Sequence, residues 1–177
     1  MGSNVVLVNR APVLTLWAAV VAERLGYDHE AALSFGKAVA GLNAQSKGRS
    51  LGIYKPVEHP EGASPKKTGL GEEFWVELLG RRIPAKTTEE GVRAVVKDRP
   101  VSSSGVERYL EEKFGPSLKD VSKAMIALAD AFEPAELAGA AYALYERFRP
   151  EIPSGVRGWG AKGKLDLGRV LSLKKHA

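Results

Sequence analysis

Cations separated by glycines are the residues of this chain best suited to chemistry, and the chemistry they suit is capture of phosphate. The stretch VRGWGAKGKL places Arg157, Lys162 and Lys164 around Trp159. Gly155, Gly158, Gly160 and Gly163 interleave them and allow close backbone approach to a partner. Trp159 offers a face on which a base can stack while the cations meet phosphates. The competing reading makes Trp159 an anchor that pins the tail to the body, because burying an indole stabilises by about 2–3 kcal/mol.

A second cluster lies in NAQSKGRSLGIYK, where Lys47 and Arg49 flank Gly48 with no acidic residue nearby. Gly48 would let successive N–H groups converge on an anion. Equally, it would serve as the residue just past a helix, with Lys47 complementing the helix dipole. Arg81 and Arg82 form a third cationic point at the tip of an expected hairpin, where arginine suits a narrow minor groove. Lys66 and Lys67 add further positive charge.

Catalytic signals are weak by comparison. His29, His59 and His176 stand far apart without metal-ligand spacing, and there are no cysteines. No Walker loop, nucleophile elbow or zinc-protease motif occurs. GWGAKG matches G-x-G-x-x-G formally, yet it lacks the strand–glycine–helix context that gives the motif meaning. The neighbouring carboxylates of Glu89-Glu90 and Glu111-Glu112 diverge on helix surfaces. No metal or cofactor is implied.

The charge distribution supports the basic clusters. Residues 1–148 hold 19 Lys/Arg against 19 Asp/Glu, whereas residues 149–177 hold seven against two, so the tail supplies the whole net charge of +5. A neutral body with a cationic tail attracts phosphates or acidic surfaces. A hydrophobic fraction of 44% provides for a packed core. No window approaches a membrane span. The apolar N-terminal run ends in Glu23-Arg24 without a cleavage-type site, so it reads as a core helix and the protein as cytoplasmic.

Periodicity and punctuation predict the elements that carry these residues. A helix from Pro12 to Leu25 has Leu14, Trp17, Val21 and Leu25 on one face. Gly26 ends it, and Asp28 caps a second helix from His29 to Ser46. Residues 57–71, rich in proline and glycine, form a loop or linker. Alternation in EEFWVELLGRRIPAKTT predicts one hairpin with its turn at Gly80-Arg81-Arg82, and Pro84 confines the second strand to an edge. Thr87 and Glu90 have capping-box spacing for a short helix to Val96. Three helices follow, opened by Ser104, Ser117 and Pro134, and a last turn follows Asp166. The expected fold is mainly α: an N-terminal helical pair (1–56), the linker, a hairpin plus three-helix cluster (72–150), and a basic glycine-rich tail (151–177) packed on the body.

The stretch AERLGYDHEAALSF resembles a helix-turn-helix, with Ala22 where the helices touch, Gly26 in the turn and Phe35 buried. The resemblance covers about twenty residues. It implies that Asp28, His29 and Glu30 face a major groove, where two carboxylates repel phosphate, and the second helix is long for a reader. A structural αα-hairpin accounts for the stretch better. The leading functional expectation is a non-enzymatic nucleic-acid-binding protein, for DNA more than RNA. It would act on phosphates through Lys47, Arg49, Arg81, Arg82, Arg157, Trp159, Lys162 and Lys164. The alternatives are a protein–protein module, self-associating or otherwise, centred on Trp17, Trp75 or Tyr145, and an enzyme of unrecognised type.

Overall fold

A computed structural model describes residues 5–50, 73–89, 91–96, 99–150 and 162–176, with side chains except at 43–50, 73, 162, 175 and 176. Strand β1 (Val5–Asn9) leads directly into α1 (Arg10–Arg24), whose residues from Pro12 to Ala22 are buried without interruption. A helix apolar on every side belongs inside a protein rather than on its surface. α1 is that central helix. The expected stripe of Leu14, Trp17 and Val21 is buried, but so is the rest of the circumference.

α2 (His29–Ser50) folds back antiparallel on α1 through a turn at Gly26, whose φ of +111° only glycine adopts easily. The Asp28 carboxylate accepts the Ala31 N–H at 2.8 Å, giving the expected cap. Gly36 is the contact that brings the helices together, because a Cβ there would run into the Thr15 backbone carbonyl. α3 (Ser103–Phe114), α4 (Leu118–Asp130) and α5 (Pro134–Phe148) each pack on α1. The expected C-terminal cluster is thus organised around the first helix of the chain. α3 is capped by Ser102 rather than Ser104, and Ser117 makes no capping bond because a 3₁₀ turn (Gly115–Ser117) precedes α4.

Trp17 lies at the centre of this arrangement and is 0% exposed. Its indole N–H donates to the Ala141 carbonyl at 2.9 Å, and its ring meets Phe148 edge-on at 5.2 Å. Trp17 and Tyr145 are therefore core residues and form no exposed apolar face, which corrects that expectation. Hydrogen bonds at each end of α1 fix direction. Arg24 donates to the Phe132 carbonyl before α5, and Arg10 donates to the Pro150 carbonyl after it. α5 therefore runs antiparallel to α1.

The single hairpin expands into a four-stranded antiparallel sheet of β2 (Glu73–Leu78), β3 (Arg81–Thr88), β4 (Gly91–Val96) and β5 (Arg99–Pro100), in that order. Its turn is Leu79-Gly80, both at positive φ (51° and 74°), the two-residue form that matches strand twist. Val76, Leu78, Ile83, Ala85 and Ala94 bury one face. The helix expected from Thr87 to Val96 is instead a strand, a turn and a strand. Thr87 pairs with Val92 and Thr88 with Gly91, and the β-branched run outweighs the capping-box spacing. Pro84 sits in an interior strand. It pairs with Trp75 of β2, while the β3–β4 ladder stops at Ala85↔Ala94, one residue short of it, so on that side no N–H is called for.

α2 covers the edge of β4. Ser34 Oγ accepts the Ala94 N–H at 2.9 Å and donates to the Ala31 carbonyl at 2.7 Å. Ser34→Ala is expected to cost about 1–3 kcal/mol by stranding a buried N–H. The loss would be read as a lower urea midpoint with an unchanged m value. Beside it Arg93, 3% exposed, donates to Glu30 at 2.8 Å.

The chain ends by returning to its start. β6 (Lys162–Asp166) pairs antiparallel with β1 from Asn9↔Lys162 to Val5↔Asp166. The Asp166 carboxylate then caps α6 (Leu167–Ser172) by accepting the Gly168 and Arg169 N–H groups. Part of the expected tail is thus an ordinary strand. The fold is mainly α with small antiparallel sheets, and among the described residues no helix is long and apolar enough to cross a membrane.

Candidate anion-binding site

The site is built where α1 begins and α5 ends. Arg10 is the first residue of α1 and Arg149 the first after α5. Arg10 Nε donates to the Pro150 carbonyl at 2.9 Å, which places its guanidinium beside Arg149. The Arg149 guanidinium lies 6.0 Å from the centre of the Tyr145 ring, and Tyr145 stands 5.8 Å from Tyr142. Both arginines are half-buried. Among the described residues no carboxylate lies within salt-bridge distance of either.

The electrostatics reflect that crowding. Burial lowers the pKa of Arg10 from its usual value and the Arg149 charge lowers it further, while Tyr145 and Tyr142 oppose the shift. Burial pushes the Tyr145 phenol up to about 12, against the pull of both arginines. Two like charges partly removed from water attract an anion, which would offset both desolvation and repulsion.

The surrounding elements bring further cations to this end. In the β1–β6 register Lys162 stands opposite Asn9, the neighbour of Arg10, and Lys164 stands opposite exposed Leu7. α2 has 22 residues against 15 in α1. Gly36 lies against the Thr15 carbonyl and the Ala19 nitrogen, about level with Trp17, so Asn43 comes about level with Arg10 and the remaining turns run roughly 10 Å past it. Lys47 and Arg49 lie on those turns, and their side chains are outside the described residues. Gly48 is inside the helix, not beyond it, so its N–H points along the helix axis and no anion nest forms there. That expectation is corrected.

The hairpin arginines separate. Arg81, half-buried, lines a hollow of about 230 Å³ with Leu79, Gly80 and Tyr142, which joins the tip to the Arg10–Arg149 neighbourhood. Arg82 is exposed on the other face of the strand, 5.0 Å from the centre of the Trp75 ring and opposite Glu77. Arg157, Trp159 and His59 lie outside the described residues. The opposite end of the helical pair is acidic, with Glu23, Asp28, Glu30, Asp130 and Glu133 around Arg24, His29 and Arg93. At the basic end the α3–α4 corner carries Glu111, Glu112 and Asp120 beside Lys113 and Lys119.

Arg10 and Arg149 are absent from the candidates drawn from sequence. The available signal was position: each cation directly abuts the end of an apolar helix, in NRAPV and ERFRP. His29 meets Glu23 at 3.2 Å on the surface, and among the described residues no cluster of metal-ligand types forms. Comparison with protein-family models, with curated proteins and with solved structures finds no match.

Proposed function

We propose that this protein binds nucleic acid through phosphate contacts at the end of the molecule where α1 starts. The observation that carries the reading is the bond from Arg10 to the Pro150 carbonyl, which sets it within electrostatic reach of Arg149, with Lys162 paired to Asn9, the residue before Arg10. Lys47 and Arg49 belong to the overhanging turns of the α2 backbone and are included as expected contributors. Contacts of this kind hold the backbone and carry no base sequence.

The test is fluorescence anisotropy with labelled single- and double-stranded DNA and RNA across salt. Each neutralised phosphate releases condensed counterions, so log K against log[salt] should fall with a slope of about −4. Arg149→Ala or Lys162→Ala should each make the slope shallower by about one. A flat salt response would overturn the reading.

Self-association is the second reading, and the two-stranded ladder supports it. Leu7 is 65% exposed, Val5 is exposed beside it, and among the described strands β1 and β6 pair only with each other. Exposed apolar residues on such a short ladder favour pairing with a second copy. A sedimentation profile of a lone monomer at micromolar concentration would remove it.

A further inference from the structure

We propose that Arg10 and Arg149 clamp a terminal phosphate monoester of a nucleic acid, and that the adjoining base enters the hollow beside Tyr142. This deepens the nucleic-acid reading and rests on it. Two arginines at the adjoining ends of oppositely running helices lie within electrostatic reach of each other, and the Nε bond to Pro150 holds the plane of one of them. Among the described residues neither has a carboxylate partner.

The charge match selects the ligand. An internal phosphodiester carries a single negative charge, whereas a monoester carries about −1.5 to −2 near pH 7. A paired, half-buried dication therefore discriminates in favour of a chain end. Guanidinium forks also suit the three oxygens of a monoester, which accept parallel N–H bonds.

The hollow supplies the second half of a nucleotide site. Leu79, Gly80, Arg81 and Tyr142 line a shallow, open hollow of about 230 Å³, below the roughly 300–1,000 Å³ of drug-sized sites, so a planar ring would lie against its wall rather than be engulfed. Bases stack on tyrosine rings and on arginine planes, and both are present. Tyr142 connects the halves, since it lines the hollow and lies within electrostatic reach of Arg10.

The experiment compares one short single-stranded DNA ending in hydroxyls with the same strand phosphorylated at its 5′ or its 3′ end, by anisotropy at fixed salt. A calorimetric titration compares AMP with adenosine. One phosphorylated form should bind about ten- to hundredfold tighter than the hydroxyl-ended strand, the range for charge-assisted hydrogen bonds. Arg10→Ala and Arg149→Ala should erase that preference. Arg10→Lys, which retains the charge and the packing stem, should reduce it only in part. Equal binding of all three strands, with AMP no better than adenosine, overturns the clamp and leaves the nucleic-acid reading standing. AMP binding tighter than adenosine without any strand binding supports the clamp and overturns the nucleic-acid reading instead.

Discussion

Trp17→Ala is expected to destabilise the protein by about 3–5 kcal/mol, the cost of emptying a buried aromatic site. For a chain of this size that lowers the thermal midpoint by roughly 6–20 °C. The effect is large because the indole does two things at once. It fills the space between α1 and α5 at full burial, and its buried N–H is satisfied by the Ala141 carbonyl. Its edge-on contact with Phe148 would be lost as well. Trp17→Phe retains most of the volume and should cost about 1–3 kcal/mol, for the lost hydrogen bond and the vacated part of the ring site. A Trp17→Ala loss below about 1 kcal/mol in calorimetry would show that α1 is not the packing centre.

Gly36→Val should be the second severe substitution, at about 3 kcal/mol, the top of the usual range for overpacking. A branched side chain at this position meets the Thr15 carbonyl carbon and oxygen and the Ala19 nitrogen, all backbone atoms of α1. Backbone has no rotamer to escape into, so the helices must separate along their contact. Replacing glycine in a helix ordinarily gains up to about 1 kcal/mol through propensity, and that gain works against the clash without cancelling it. Gly41 provides the control, because a Cβ there meets nothing within 4 Å. Gly41→Ala should therefore be neutral or stabilising in the same urea titration. Equal effects at the two positions would mean that α1 and α2 are not in close contact at Gly36.

The nucleic-acid reading depends on convergence that no local pattern encodes. Lys162 lies most of the chain away from Arg10, and only the β1–β6 ladder makes them neighbours. Arg149 reaches Arg10 because α5 runs antiparallel to α1. The expected hairpin pair shows the opposite outcome. Arg81 and Arg82 are adjacent in sequence, yet strand alternation sends them to different faces, one toward Tyr142 and one onto Trp75.

Local chemistry was legible wherever one residue decides the outcome. Gly26 had to end α1, Asp28 had to cap α2, Asp166 had to cap α6, and alternation from Phe74 to Leu78 marked a strand. These features depend on backbone sterics and on hydrogen bonds spanning only a few residues. The linear pattern could not yield any feature set by partners far along the chain. VVLVN reads as the start of an apolar run until β6 is there to pair with it, and Thr87 reads as a cap until β4 lies alongside. The same holds for α1: a one-sided stripe and an all-round apolar surface differ only in how many neighbours arrive to cover them. The amino-acid order by itself determined the junction of α1 and α2 at Gly26 and Asp28, the cap of α6 at Asp166, and that cations gather late in the chain. Tertiary structure alone decided which cations share an end of the molecule, because charge adds by distance in space and not by separation in sequence.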